Sequence, residues 1–588
     1  MQIARRVYLY LVSIISLIML LVGATSLLRL LLQLWLDTRL SNYVDNVNTY
    51  FRDEFSLYGA ITLVGAIVWL THWILAQRSL LAPKGELERQ SVLRKLMVYM
   101  TLGVTALVVF TSAASVLEAF LAYFSDLDRP YFIERISDPV ARVLVYSAGW
   151  LYYWKVRSDD NRVVPEAKHA STLRRWYFYV VNYIALTVLA LNLASLADQT
   201  WQVITGRTIS PGSSFIPMWA TAALAWIVAS LAIWLWHWTW VQHQITISED
   251  EQHSPLRKVY LYMVLIQMII VTLTSAALFL YTLLRYTLGD NLAEQSGESL
   301  LTATGVNVLP ALIYGVFWWY HDLALKADTA LLVEELPLQA NLRRLYHYLI
   351  TLISLSVLAI GLARLLRVLA DFWLHGQATS NFTRQAWSDE ISMFTTLILV
   401  GASVWFFYWR RLQQQTVVEG AEERFSLPRR IYLYLVLFGS VVALLFGTAW
   451  LFYQIFKLIG TVVTGSFISD ISWALGITIT GGTILAYHLR TLILDLKARP
   501  AVKIEAPGVA VPAEAGGGSL LLLVESSNPA DLQSSLDSLK KILPPEVQMQ
   551  TLPVGKLTLA EITARITGRA SPDDPAGKQE HKGLVASG

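Results

Sequence analysis

Cysteine is absent from the 588 residues. That excludes disulfides, thiolate-bound zinc, iron–sulfur clusters and thiol nucleophiles. Charge is scarce as well: Asp, Glu, Lys and Arg make up 15% of the chain, where a soluble domain carries about 25%. The formal net charge of +3 is too small to point to nucleic acid as a partner. Catalytic signatures are missing too, since no His-Glu-x-x-His, Walker-type glycine loop or Gly-x-Ser-x-Gly occurs. The expectation is therefore a protein that is not an enzyme, with no catalytic residues, no metal and no cofactor.

What remains is apolar. Hydrophobic residues make up 55% of the chain and the mean hydropathy is +0.48, as in a multi-spanning membrane protein. The first apolar run, Val7 to about Leu36, is far longer than a cleavable signal and reads as a retained span. Six times a basic pair opens such a run: Arg5-Arg6, Arg94-Lys95, Arg174-Arg175, Arg257-Lys258, Arg343-Arg344 and Arg429-Arg430. Tyrosines follow in register, among them Tyr8 and Tyr10, Tyr99, Tyr177 and Tyr179, and Tyr432 and Tyr434. A tandem repeat of this kind dictates architecture.

Each copy holds two apolar runs, near 6–36 and 55–77, 94–124 and 135–156, 174–206 and 215–241, 257–285 and 299–325, 343–374 and 388–410, and 429–459 and 467–490. The predicted fold is all-α: twelve transmembrane helices as six hairpins of one orientation. The repeats are 1–93, 94–173, 174–256, 257–342, 343–428 and 429–497. Lys and Arg concentrate at the start of the chain and in the connections between hairpins. By the positive-inside rule that side is cytoplasmic, with both termini on it. After the last repeat, 498–518 reads as a flexible linker rich in Ala, Pro and Gly. Residues 519–568 read as a small cytoplasmic β-α-β-α domain, with a strand at Leu520–Val524 and a helix capped by Asn528. Residues 569–588 read as a disordered tail.

Three sets of positions recur inside the helices. Gly23, Ser112, Asn192, Ser275, Gly361 and Gly447 stand at one register position and read as a packing seam, since small residues let helices approach in lipid. Deeper still, Arg29, Glu118, Asp198 and Arg367 recur at one depth. They could form a ring of ion pairs, with Arg29 on Glu118, but a place in the outer headgroups is preferred because charges are cheap there. The second helix of each hairpin closes on Trp-x-x-His/Tyr, usually followed by Trp. The copies end at His72-Trp73, Tyr153-Trp154, His237-Trp238, His321-Asp322, Tyr408-Trp409 and His488-Leu489. An interfacial aromatic belt is preferred here over convergence of the four histidines on a ligand, a proton path or a porphyrin.

With Arg-Arg-x-Tyr-x-Tyr opening one helix and Trp-x-x-His-Trp closing the next, residues 5–490 resemble a bacterial multi-spanning membrane-domain family of unassigned function built from tandem two-helix repeats. Copy two lacks the first tyrosine, and copy six has Leu485 for the tryptophan. The resemblance implies a bacterial inner membrane and supplies no catalytic residues. The expected function is a non-enzymatic scaffold or sensor. Its partners are membrane lipids and a cytoplasmic protein docking on 519–568. The alternatives are a transporter or channel for a small solute, and a protein binding a hydrophobic pigment, quinone or lipid.

Overall fold

The computed structural model describes residues 2–36, 47–81, 85–127, 129–164, 168–206, 217–289, 299–330, 336–375, 384–457 and 465–498. Every regular element among them is helical. The linker, the β-α-β-α domain and the tail expected beyond 498 lie outside the described residues.

Twelve long helices are described. They are α1 (Gln2–Leu36), α2 (Val47–Arg78), α3 (Val92–Phe124), α4 (Phe132–Val163), α5 (Lys168–Ile204), α6 (Met218–Ile247), α7 (Pro255–Thr287), α8 (Leu300–Ala330), α9 (Pro337–His375), α10 (Arg384–Val418), α11 (Leu427–Lys457) and α12 (Gly465–Lys497). Consecutive pairs form the six hairpins. Eleven of the twelve are long and apolar enough to cross a membrane. The exception is α4, which carries Arg142 in its N-terminal half and is crowded with Tyr146, Trp150, Tyr152, Tyr153 and Trp154, which lowers its hydropathy.

The main contacts between hairpins join neighbours along the chain. Each first helix packs on the first helix of the next hairpin. The second helix of that next hairpin lies on it too: α4 on α1, α6 on α3, α8 on α5, α10 on α7 and α12 on α9. The first helices thus form a row, and each second helix seats between two of them. Packing of this nearest-neighbour kind is that of a solenoid. Apolar side chains on the outward faces, such as Leu63, Val316 and Phe446, are exposed, as lipid-facing residues are.

Within hairpins the small residues let backbones touch. A Cβ on Gly361 would lie 2.9 Å from Leu397 Cβ and 3.0 Å from the Ile398 backbone nitrogen. On Gly23 it would lie 2.9 Å from the Thr62 nitrogen, and on Gly447 3.1 Å from the Thr478 nitrogen. Ser112 and Ser275 are buried, and Asn192 Nδ2 donates to its own helix at Val188 O, 2.8 Å away.

Candidate functional site

Polar chemistry gathers at the end of the array where first helices begin and second helices finish. A first helix such as α3 has 33 residues and is about 50 Å long at 1.5 Å per residue. Its first turn therefore stands outside a hydrocarbon core of about 30 Å. In that turn sits Arg94, only 1% exposed, and in the equivalent turns of α7 and α11 sit Arg257 at 2% and Arg429 at 1%.

Each of these arginines is clamped in the same way. Arg94 donates through Nε to Asp160 Oδ2 at 2.7 Å and through Nη2 to Oδ1 at 3.1 Å. Arg257 meets both oxygens of Asp328 at 2.5 and 2.8 Å, and Arg429 meets those of Asp495 at 2.7 and 3.2 Å. The aspartate lies on the second helix of the same hairpin, and the planar guanidinium fork matches a carboxylate in this two-point fashion. The preceding hairpin supplies the rest. Nη2 reaches Gln77, Gln242 or Gln413 at 3.3, 3.2 and 3.5 Å. The guanidinium carbon stands 5.4, 5.6 and 5.7 Å from the ring centres of Trp73, Trp238 and Trp409, a cation–π arrangement.

A glutamate completes each centre. Glu88, Glu251 and Glu423 ride on the short helices Gly85–Arg89, Glu249–Gln252 and Ala421–Arg424 that connect the two hairpins. Each binds the second arginine of the preceding hairpin's basic pair. Arg6 lies 2.6 Å from Glu88, Arg175 lies 2.9 Å from Glu251 with Arg174 beside it, and Arg344 lies 2.6 Å from Glu423. Tyr10 and Tyr348 each donate to their glutamate at 2.8 Å. Glu419 adds contacts to Arg343 and Arg344. Burial raises the pKa of Glu419, but the two guanidinium groups outweigh it and hold the carboxyl below its ordinary value.

A second layer lies one helical turn further in, where the two sequence signatures meet. The histidine Nδ1 of His72, His237, His321 and His488 faces the carbonyl four residues earlier, at 2.8 to 3.0 Å. A carbonyl can only accept, so Nδ1 carries the proton and Nε2 is the acceptor. Tyr8, Tyr177 and Tyr432 then donate to the Nε2 of His72, His237 and His488 at 3.2, 3.2 and 3.1 Å. Each of these three histidines is therefore bonded within its own hairpin, and the lone pair a metal would need is used. Among the described residues no group of three or more His, Asp or Glu could hold a metal ion. Tyr408 faces Tyr346 at 3.5 Å, and Tyr153 accepts from Trp69 at 3.1 Å.

The tryptophans tie successive hairpins together. Trp150 donates to Tyr177 at 3.2 Å and Trp405 to Tyr432 at 3.4 Å. Trp73, Trp238 and Trp409 donate to Tyr152, Tyr320 and Tyr487 at 2.5, 2.7 and 2.7 Å. These last three indoles are buried, which corrects their assignment to a headgroup belt: each finds a hydrogen-bond partner and a cation inside the protein.

The outer charges pair locally rather than as a ring. Arg29 binds Glu54 at 2.9 Å and Glu118 faces Arg135 at 3.5 Å, each within its own hairpin. Asp198 accepts from Gln202 on the same helix at 3.1 Å, and Arg367 stands 3.9 Å from both Asp371 and Glu390. Arg29 and Glu118 are thus held by other partners.

Sequence reasoning singled out the arginines but passed over the glutamines, glutamates and aspartates that fix them. Their signal lies in alternate copies. Trp-x-x-x-Gln occurs at 73–77, 238–242 and 409–413, and Glu-x-x-Ser-x-x-Arg at 88–94, 251–257 and 423–429. The true unit is two hairpins, and the chain holds three. A family model described as a domain of unknown function (DUF5671) matches at 6–148, 175–320 and 344–483, each match falling on one such unit. No curated protein and no solved structure matches the chain.

Proposed function

The chain belongs to the DUF5671 family, a family of unknown function, and on that premise we propose that it is a non-enzymatic scaffold or sensor of a bacterial cytoplasmic membrane. In this reading all twelve long helices cross, α4 included, and both termini are cytoplasmic, because the basic residues concentrate on that side. Residues 519–568 are its docking piece for a cytoplasmic partner. The observation that carries the reading is where the motif side chains go. The arginines and the indoles on which they stack are bound to the same or the adjacent hairpin. Side chains used as joints make the array a platform. A carrier instead places charged groups and broken helices along a path at the membrane midplane.

The test is reconstitution of the full chain into sealed vesicles. The expected result is that permeability to protons, potassium and small organic anions equals that of protein-free vesicles. A saturable flux that a single substitution abolishes would overturn the scaffold reading in favour of a transporter.

A further inference from the structure

The three units are joined to one another at two places, between the second and third hairpins and between the fourth and fifth. Both joints use the same stripe of a first helix. On α3 the stripe is Tyr99, Gly103, Ala106, Phe110 and Ala114. Tyr99 packs on Tyr177, with ring centres 6.2 Å apart, and Phe110 packs edge-on to Trp226 at 5.6 Å. On α7 it runs through Tyr262, Ile266 and Ile269, and Tyr262 stacks on Tyr346 at 4.9 Å. Such positions share one face of a helix.

The last hairpin repeats this stripe with nothing on it. On α11 the equivalent positions are Tyr434, Phe438, Val441, Leu445 and Ala449. Tyr434 is 57% exposed and Leu445 64%, against 4% for Tyr99 and 2% for Phe110. The first hairpin shows the matching half. Tyr8 is 57% exposed, where its equivalents Tyr177 and Tyr346 are buried at 5% and 6%. Val64, in the register of buried Ala229, is also exposed. Among the described residues, the first and last hairpins therefore present the two open halves of a joint that is built twice between them.

We propose that a second copy of this chain fills the gap, its first hairpin seating Tyr8 on the bare stripe of α11. Continuity of the repeat supplies the geometry, and the shared orientation of all hairpins keeps both copies the same way round in the membrane. The contact is head to tail, so each joined pair keeps two free ends, one on either copy, and extends into a ring or a row in the membrane plane. Leu485 stands where Trp150 donates to Tyr177 in the internal joint. The joint between chains lacks that bond and is weaker than the one between the second and third hairpins.

The absence of cysteine makes the test clean. Two differently tagged full-length copies, one with Tyr8→Cys and the other with Tyr434→Cys, are co-expressed, and the membranes are treated with a short bis-maleimide. Ala486→Cys replaces Tyr434→Cys in the control. Ala486 is exposed on α12 two residues before His488, which pairs with Tyr432, and its equivalents Leu151 and Trp319 are exposed beside the internal joints, so it lies at a similar depth but outside the joint. Tyr99→Cys with Tyr177→Cys in one chain verifies that the reagent spans the joint. The expected result is a mixed-tag cross-link at least about tenfold above the control, as proximity gives over random encounter. Equal yields from the Tyr434 and Ala486 pairs, or cross-links only to other proteins, would overturn the proposal.

Discussion

A buried guanidinium and its carboxylate stand or fall together. Arg257 is closed in by Asp328, Gln242 and Trp238, so removing it alone strands a desolvated carboxylate. Arg257→Met should lower the stability of the reconstituted protein by about 3–5 kcal/mol, the usual cost of breaking a buried pair. Arg257→Met combined with Asp328→Leu should recover most of that loss, because an apolar pair of similar volume has no desolvation penalty to offset. Denaturant unfolding in lipid discs measures both. Arg257→Lys should behave more like the single removal, since one ammonium cannot make the two-point contact.

Helices in lipid are held by close approach, and the glycines divide sharply on that measure. A methyl at Gly361 would press into Leu397 and the Ile398 backbone, whereas one at Gly439 would meet nothing within 4 Å. Gly361→Ala should cost about 1–3 kcal/mol through overpacking. Gly439→Ala should be neutral or stabilising by up to about 1 kcal/mol from helix propensity. Thermal unfolding of the two variants separates these outcomes. The close approach at Gly361 was legible in the sequence because a small residue recurs at one register in every copy. So were the hairpins themselves, from apolar length and the basic pairs. The buried centres were not. Glu88, Glu251 and Glu423 look like ordinary connector charges, and a register laid over six copies hides anything present in only three. The belt reading failed at Trp73, Trp238 and Trp409 for a related reason: an indole that favours a headgroup also suits a buried site with an acceptor and a cation.

At the scale of the molecule, contacts restricted to neighbours make stability local. A chain stopped after Ala330 keeps α1–α8, both of its arginine centres and the joint between its units. It should insert and resist protease much as the full chain does. A chain stopped after Ile247 loses Glu251, Arg257 and Asp328, and leaves Trp238 and the pair Arg174-Arg175 without the partners that bury them. It should be degraded readily, and protease resistance in membranes reads the difference. The four-helix unit, rather than the hairpin, is thus the smallest piece whose buried charges are all answered. Three of the buried indoles, Trp73, Trp238 and Trp409, mark those units one apiece, each beneath a guanidinium and beside a phenol. The emission of an indole shifts with the charge above it and with water at its edge, so each of these three, once the other tryptophans of the chain are replaced by phenylalanine, reports optically on its own third of the molecule.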